Sequence, residues 1–508
     1  MKSPQLNDGE SASEGMWIEE QFWGHRLYDG QSPWLTFLEF IGVAHSAQEA
    51  GQLFDFEQSQ YLSTYSALSR LHLRNILFLD EQRIVHTAKT YGDSDTAWSH
   101  WLEWIERNAK GLDPAKRKFG YLRTRFDSFH DFAALIRALR SCVVEGDTNK
   151  RWSSRFIFPF GPAALFEDLA IKDESFSREY INFGRSGELL YLMLARSSLR
   201  TELTELLPRV LVAQNKWNHL VQRLQPDTTS PVSPRSGAFL PYDAHPVFEI
   251  LAADWLALLR LRLPGFDVVP HLVTSGAFGL LLYQLHTSAH LLGMPMVRPI
   301  ICEVVAPKKG LVRELSTECF EENSVLSFDA MNCVIERVTL DPRWEQGAGP
   351  VEKLSNRRAV IADMFRWSDK NPSVSDPDEL LRMFRSAART RHQRHFGQVH
   401  RTFGRGVGLV SRRGTNRFRY APTDHFLKFL VLATVDKRVE FGEFLEKLYR
   451  RYGLIFGERE AHAAKPGEAI DKKPFQQNAL RLEQRLSSLG LLKRLSDACA
   501  YVENPYAE

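Results

Sequence analysis

Cysteine is scarce in this chain of 508 residues, and no pattern built from cysteine is present. The five cysteines are widely scattered, and no two of them form a Cys-x-x-Cys pair. An odd number of separated cysteines argues against a disulfide framework and favours a reducing compartment. It argues equally against a zinc site made of cysteines. We therefore expect a cytoplasmic protein without a bound metal.

Signals for nucleotide hydrolysis, secretion and membrane insertion are also missing. The sequence contains no Gly-x-x-x-x-Gly-Lys-Ser/Thr loop, so nothing predicts a nucleotide cofactor. Residues 1–15 are polar, lack the apolar run of a signal peptide, and are predicted to be a disordered lead-in. The most apolar windows, Val247–Leu263 and Leu272–Met294, are interrupted by charged residues, histidines or glycines. These interruptions predict buried helices and no membrane contact.

Composition and periodicity predict a mainly α, multidomain protein. Hydrophobic residues make up 44% of the chain and charged residues 25%, which is typical of a globular protein, and the net charge is only +3. The length exceeds what one ordinary core holds. A segment rich in proline, serine and threonine predicts a linker, or alternatively a long exposed loop within one helical domain. The predicted divisions are a lead-in (1–15), an N-terminal helical domain (16–224), a linker (225–237), a middle helical domain (238–372), an Arg-rich helix and hairpin (373–422) and a C-terminal domain (423–508).

Acidic residues are absent from one long window, which we call the Arg-rich stretch (residues 381–423). It holds eleven arginines, three histidines and five aromatic residues, but no Asp or Glu. Fixed positive charge of this density attracts a polyanion, and nucleic acid is the usual one because arginine releases condensed counterions from phosphates. Two alternatives remain at this point: a solvated arginine-rich helix, and a surface that docks an acidic protein partner.

The Arg-rich stretch is predicted to form a helix over about 377–403 and then a β-hairpin. Ser375 or Asp376 can cap the helix. The runs 406–411 and 416–420 read as two strands with a basic tip between them. We expect the three histidines, His392, His395 and His400, to contact phosphate or sugar or to lie on the surface. The predicted backbone contacts to duplex DNA, with RNA as an alternative, are Arg382, Arg385, Arg389, Arg391, Arg394, Arg412, Arg413, Arg417 and Arg419.

The end of the chain resembles the winged-helix superfamily. Helices are predicted over Asp424–Val435, Phe441–Tyr452 and Phe475–Leu489, followed by a strand, a turn and a strand within Leu491–Val502. The resemblance implies a third helix that reads DNA and a hairpin that touches its backbone. Side chains predicted to face outward from that helix are Gln476, Gln477, Asn478, Arg481, Gln484 and Arg485. Those predicted to orient the protein on DNA are Arg481, Arg485, Lys493 and Arg494.

Three short motifs extend the resemblance to the whole chain. They are Gly453-Leu454-Ile455-Phe456-Gly457, Gly490-Leu491-Leu492 and Asn504-Pro505-Tyr506. With them the chain resembles large helical accessory proteins encoded in bacterial phage-defence and DNA-modification operons. The resemblance transfers no catalytic residue. It implies a DNA-binding accessory subunit working beside an ATPase, nuclease or methyltransferase supplied by another chain.

One enzymatic alternative remains, a divergent metal-dependent nuclease. Asp243, His245, Glu249 and Glu303 are the candidate residues, because carboxylates and imidazoles hold the divalent ions that such hydrolysis needs. His286 and His290 lie four residues apart, but no glutamate stands between them as a metalloprotease requires. We expect that pair to be buried and hydrogen-bonded instead. The stripe that includes Trp98 and Trp101 is predicted to be core.

Overall fold

The computed structural model describes fifteen segments of the chain, and helices dominate them. The expectation of a mainly α protein is thus confirmed. β-Strands are short and few in the same segments. The described residues are 18–24, 32–55, 71–110, 112–141, 169–172, 175–178, 186–210, 216–227, 238–304, 310–369, 374–394, 396–412, 417–464, 470–496 and 499–507.

Elements of the first half are mostly helices. The first helix begins at Pro33, directly after Ser32. Two short strands, β1 (Leu169–Lys172) and β2 (Ser175–Arg178), pair antiparallel. The helices are α1 (Pro33–Glu49), α2 (Leu71–Arg74), α3 (Glu81–Thr90), α4 (Ser94–Asn108), α5 (Phe129–Ser141), α6 (Ser186–Ala195), α7 (Arg200–Leu206) and α8 (Lys216–Arg223).

The second half is also mostly helical, with longer helices and several strands of two to four residues. The helices are α9 (Pro246–Leu259), α10 (Gly265–Leu291), α11 (Leu311–Glu336), α12 (Pro350–Phe365), α13 (Pro377–Arg394), α14 (Phe396–Gly406), α15 (Asp424–Thr434), α16 (Phe441–Tyr452), α17 (Glu458–Ala464) and α18 (Lys472–Ser488). The strands are β3 (Ile300–Ile301), β4 (Val410–Ser411), β5 (Arg419–Tyr420), β6 (Arg438–Glu440), β7 (Leu454–Ile455), β8 (Leu492–Arg494) and β9 (Ala500–Glu503).

A small hydrophobic core joins α3, α4, α5 and α8. Trp98 and Trp101 are each 1% exposed within it, which confirms the prediction that this stripe is core. The ring of Trp98 meets that of Phe129 edge to face, with centroids 4.9 Å apart. Such aromatic pairs stabilise a core beyond the area they bury. The indole N–H of Trp101 donates to the Asp80 carboxylate, whose burial raises its pKa to about 7.

The main hydrophobic core draws residues from Ile18 to Val502, but none between Phe54 and Leu189. It contains residues on both sides of the predicted boundaries at 237, 372 and 422, so these positions do not separate independent cores. Close backbone approach fixes part of it: a Cβ on Gly187 would lie 2.5 Å from the backbone of Thr36 and Phe40. Only glycine lets α6 pack this tightly against α1.

Helix α10 lies in this core. Its part Asp267–Leu291 has the length and the mean hydropathy, 1.4, of a membrane span. However, 94% of its most apolar window is buried inside the fold, as expected for the central helix of a globular protein. The helix is therefore only weak evidence for membrane insertion.

Residues 300–304, the joint segment, connect the Arg-rich stretch to the end of the chain. Its strand β3 pairs parallel with β7, and the Glu303 amide donates to the Tyr420 carbonyl at 2.9 Å. Gly453 makes the pairing possible, because it ends α16 in the left-handed region at φ 77° and a Cβ there would lie 2.3 Å from the Arg298 carbonyl oxygen. The motif Gly453–Gly457 is thus the place where the joint segment pairs with the C-terminal part of the chain.

Candidate nucleic-acid interface

The Arg-rich stretch begins with two helices rather than the single helix predicted over 377–403. Helix α13 starts after Asp376, whose carboxylate accepts from the Asp378 amide at 3.0 Å, and it ends at Arg394. Helix α14 starts at Phe396. A Cβ on Gly397 would lie 2.6 Å from the ring of Phe328. The glycine therefore lets α11 pack closely against the chain where α13 ends and α14 begins. Periodicity alone carries no signal for such a break.

Arg419 is buried and does not face solvent. Its guanidinium donates to the carboxylate of Glu303, and the two side chains are 1% and 4% exposed. An interior arginine with a carboxylate partner is a structural ion pair. Arg419 therefore cannot contact a phosphate in this state, contrary to the prediction. The same pair occupies Glu303, which removes that carboxylate from the proposed nuclease site.

Four more arginines of the stretch have acidic partners. Arg417 donates to Glu321 through two nitrogens, at 2.6 Å from Nε, and Arg385 donates to Glu336. Their partners both lie on α11, far away in sequence. Arg391 lies 3.5 Å from Glu19, and Arg382 lies 3.5 Å from Asp376. Acids from elsewhere in the fold thus neutralise much of the charge that the window lacks acids to balance.

A smaller set of arginines is exposed, and two of its members stack on an aromatic ring. Arg389, Arg394 and Arg405 are exposed, and none forms an ion pair with the described residues. Arg412 lies over the ring of Phe418 at 5.1 Å, and Arg401 lies over the same ring at 5.5 Å. Stacking on an aromatic face orients a guanidinium, and Arg401 also donates to the side chain of Gln398. Arg413 lies outside the described residues.

The histidines of the stretch are part of the core where they are described. His392 is fully buried and its Nε2 lies 3.0 Å from the Ser327 hydroxyl. His400 is 2% exposed and its Nε2 lies 2.7 Å from the Tyr420 hydroxyl. Burial lowers the pKa of His400 to about 3. The prediction of phosphate, sugar or surface contacts is wrong for both; His395 lies outside the described residues.

Strands β4 and β5 pair antiparallel over two residues each, with Val410 opposite Tyr420. They are shorter than the runs predicted for a hairpin, and residues 413–416 between them lie outside the described residues. Tyr420 fixes their position, because its amide and carbonyl both bond the Ser316 hydroxyl and its own hydroxyl accepts from Asn323 at 3.1 Å. The base of the pair is therefore anchored to α11.

We call residues 424–503 the C-terminal unit. Its helices end close to their predicted positions, and α16 has the predicted bounds. Thr423 caps α15 by accepting from the Phe426 amide at 3.4 Å. Strands β6, β9 and β8 form an antiparallel sheet in that order, with β9 in the centre. The prediction did not include β6, β7 or α17.

Helix α18 presents an exposed face that carries no carboxylate. Asn478 does not belong to this face, contrary to the prediction. It is 1% exposed, accepts from the Val304 amide at 2.8 Å and donates to the carbonyls of Cys302 and Phe456. Glu483 is the one acid within α18, and its carboxylate lies 3.4 Å from the guanidinium of Arg494. The outward face consists of Lys473, Gln476, Gln477, Leu480, Arg481, Gln484 and Ser488.

The four cations predicted to orient the protein on DNA differ in their surroundings. Arg481 is half-buried and Lys493 is exposed, and neither forms an ion pair with the described residues. Arg485 donates to Asp424, and Arg494 lies beside Glu483. Arg481 and Lys493 are therefore the cations of this unit best placed to meet a phosphate.

The residues of the proposed nuclease site are held in separate interactions. Glu249 accepts from the hydroxyls of Ser197 and Ser198, at 2.9 and 2.7 Å. Asp243 interacts electrostatically with Arg196. Within the described part of the chain, no group of three His, Cys, Asp or Glu side chains has a metal-binding arrangement. The metal-dependent nuclease therefore has no assembled site among these residues.

The prediction of a buried, hydrogen-bonded histidine pair on α10 is confirmed only for the burial of His286, because neither ring nitrogen of His286 has a hydrogen-bond partner among the described residues. His286 is buried, and burial lowers its pKa to about 4. His290 is exposed. The ring of His245 lies 6.3 Å from that of His286, and burial lowers the pKa of His245 to about 3. These neutral rings belong to the core and do not form a metal site with a third described ligand.

The chain matches no protein-family model, no curated protein and no solved structure at a significant level.

Sequence reasoning missed the acids that decide which arginines are free. Glu19, Glu303, Glu321 and Glu336 each approach an arginine of the stretch across a large separation in the chain. No local pattern marks them. The capping of α13 by Asp376 was visible in the sequence, because a cap and its helix are neighbours in the chain.

Proposed function

We propose that this protein binds duplex DNA through a winged helix formed by its C-terminal unit. The observation that carries the proposal is the exposed face of α18, whose own residues combine glutamine, arginine and lysine with no carboxylate; one acid of α17, Glu458, contacts it at Gln476. Glutamine and arginine are the side chains that pair with base edges in the major groove. A carboxylate on that face would repel the phosphates on either side.

The order of elements in the C-terminal unit supports this assignment. A helix (α15), a strand (β6), a helix (α16), the long helix α18 and then strands β8 and β9 follow one another, and β9 lies between the other two strands. In a winged helix the third main helix enters the groove while the terminal hairpin approaches the backbone. Here that hairpin carries Lys493, and α17 is an addition between the second and third main helices.

The exposed arginines of the Arg-rich stretch form the second part of the proposed interface. Arg389, Arg394, Arg405 and the stacked Arg412 would add phosphate contacts without sequence information. Arg417 and Arg385 would contribute less, because each is already neutralised by a carboxylate of α11. The arginine-rich window alone therefore overstates the charge available to DNA.

The proposal includes an accessory role. The chain would bind DNA in the cytoplasm as one subunit of a bacterial defence or DNA-modification system, while an ATPase, nuclease or methyltransferase from another chain performs the chemistry. The support is the sequence resemblance and the absence of a phosphate-binding loop motif in the chain.

A salt titration with a fluorescent 25-base-pair duplex tests DNA binding. Affinity should fall steeply as salt rises, since each phosphate contact releases counterions. The double variant Arg481→Ala, Lys493→Ala should reduce the slope of log affinity against log salt by about 2. Fluorescence anisotropy measures both quantities. A protein that does not bind the duplex at 50 mM salt would contradict the proposal and favour the scaffold alternative.

Arg107→Ala is the matched control. Arg107 is an exposed arginine of α4 paired with Glu103, and it lies at the small core rather than at the proposed interface. Its removal changes the net charge by one but should leave the salt slope unchanged. A reduction equal to that of Arg481→Ala alone would show that total charge, rather than the face of α18, determines binding.

A further inference from the structure

An open groove lies along one side of α13. Its volume is about 660 Å³, and its lining includes Trp367, which follows α12. The lining residues from α13 recur at intervals of three and four, so they form one stripe along the helix. In that order they are Met383, Ser386, Ala387, Thr390, Arg391 and Arg394.

The groove has an aromatic end and a cationic end. Trp367 is half-buried, and its ring packs on Phe384 with centroids 5.2 Å apart. At the other end lie Arg391 and the exposed Arg394. Small side chains, Ser386, Ala387 and Thr390, line the space between. No acid is among the lining residues of this groove.

We propose that this groove receives one unpaired nucleotide, with its base against Trp367 and its phosphate at Arg394. This inference rests on the proposed DNA-binding function and deepens it: the preferred ligand is a duplex that ends in a single strand. A base stacks on an aromatic ring whatever its identity, and a neighbouring arginine neutralises the phosphate. The groove is thus a single-strand site, separate from the face of α18.

The lining residues of α13 extend from Met383 to Arg394. These two residues are eleven positions apart, which is roughly 16 Å along an α-helix. Helical side chains lean toward the N-terminus, so the long side chain of Arg394 points back toward Thr390 and the base site. This lean shortens the separation between the guanidinium and the indole end of the groove.

Arg391 is held in place by an ion pair with the buried Glu19. The Glu19 carboxylate lies 3.5 Å from Arg391 and 3.6 Å from His392. Burial alone would raise the pKa of Glu19, but His392 and Arg391 outweigh that effect, and the pKa is lowered. Arg391 is therefore a positioned and largely neutralised side chain. Arg394 has no ion pair within the described residues and provides the free charge.

Charge complementarity favours nucleic acid, but an acidic peptide is the competing occupant. A peptide carboxylate would also meet Arg394, while an apolar side chain would lie on Trp367. A nucleotide uses the aromatic ring as a flat stacking surface, so it depends on an aromatic residue at 367. A peptide needs only an apolar surface there, which leucine also provides. The variant Trp367→Leu separates the two, and it preserves apolar packing against Phe384.

The test compares blunt duplex DNA with the same duplex carrying a five-nucleotide single-stranded end. The protein should bind the overhang duplex about tenfold more tightly, as expected for one stacked base with its phosphate. Trp367→Leu and Arg394→Ala should each abolish this ratio of affinities. A second measurement places 5-iododeoxyuridine in the overhang, and irradiation should cross-link it to the peptide that contains Trp367.

Arg389→Ala is the matched control for the ratio. Arg389 is exposed on the opposite side of α13 and is absent from the groove lining. Its loss should weaken blunt and overhang binding equally and leave the ratio at about ten. An overhang ratio near one in the unaltered protein, or a ratio unchanged in Trp367→Leu, would overturn the proposal.

Failure of the groove and failure of duplex binding give different results. If blunt duplex does not bind but a single-stranded oligonucleotide does, and Trp367→Leu weakens that binding tenfold, the groove assignment stands and the winged-helix function fails. If neither nucleic acid binds, both fail. Displacement of the oligonucleotide by a poly-glutamate peptide that binds Trp367→Leu as tightly as the unaltered protein overturns the nucleotide assignment in favour of the acidic peptide.

Discussion

The Arg-rich stretch and the C-terminal unit use the same side chains in different surroundings. In the stretch, Arg419 is enclosed with Glu303, and Arg417 is paired with Glu321. In the C-terminal unit, the residues on the outward face of α18 include no acid; the acids that reach this helix from elsewhere contact Gln476 and Arg485, and Arg481 has no ion pair among the described residues. The difference shows that the charge offered to a ligand depends on which acids the fold brings near, and not on the number of arginines in a window.

The two regions also differ in what their arginines do for stability. A buried pair such as Arg419 with Glu303 holds a strand in position, because separating it leaves an unpaired charge in the interior. Exposed arginines contribute little to stability and remain free to exchange partners. We therefore expect replacement of a buried, paired arginine to affect folding and replacement of an exposed arginine to affect binding.

The largest effect is expected from Arg419→Ala, which should lower the free energy of unfolding by about 3–5 kcal/mol because Glu303 is left buried without a partner. Urea unfolding measures the change. Arg417→Ala removes an arginine two residues away whose side chain is 65% exposed, and it should cost less than about 1 kcal/mol.

Replacing both members, Arg419→Met with Glu303→Leu, should restore most of the loss, since neither charge is then buried alone. Equal effects of Arg419→Ala and Arg417→Ala would erase the distinction between buried and exposed arginines in the stretch.

A second test lies within α18. Asn478→Ala should lower the free energy of unfolding by about 1–3 kcal/mol, because three buried backbone groups lose their partner. Gln477→Ala, one residue earlier and exposed, should change stability by less than about 0.5 kcal/mol. Duplex affinity should respond in the opposite way, falling for Gln477→Ala. Stability and affinity that change together in both variants would show that the two faces of α18 are not distinct.

A third test is a pH dependence at His400. Its pKa is lowered from 6.5 to about 3 by burial, so the unfolded chain binds a proton below pH 6.5 that the native state does not. The stabilising contribution is complete above pH 6.5. It is lost as pH falls toward 3, at up to about 1.4 kcal/mol per pH unit. His400→Gln keeps a hydrogen-bonding partner for Tyr420 but cannot titrate.

The unfolding free energy of His400→Gln should therefore vary less between pH 6.5 and 4 than that of the unaltered protein. Chemical unfolding at several pH values in this range measures the slope. His290→Gln, at an exposed position of α10, controls for the loss of one histidine. Equal slopes for the unaltered protein and His400→Gln would mean that the Arg-rich stretch is not held by this buried contact.

Local signals in the sequence were enough to locate much of the C-terminal unit. Thr423 caps α15 and Gly453 ends α16, and the helices predicted next to these residues have bounds within a few residues of those observed. Caps and turns work through neighbouring residues, so a single sequence reveals them. Gly453 also leaves room for the chain that leads into the joint segment, and no local sequence pattern predicts that contact.

Partners across the fold could not be predicted in the same way. Nothing near Arg419 in the chain indicates Glu303, and nothing near Asn478 indicates the amide of Val304. Polar residues on a helix were assigned to the outside because they are polar. Asn478 contradicts this rule, since its amide replaces backbone partners that the short strands leave open. Such residues are visible only when the packing is known.

The parallel pairing of β3 with β7 has a practical consequence for anyone who wishes to isolate the C-terminal part. A fragment cut just before Asp424 would leave Leu454 and Ile455 as an uncovered strand edge and Asn478 with its amide bonds unfilled. Limited proteolysis should therefore yield no stable piece beginning near that position, and truncated versions need residues 300–304 to remain soluble.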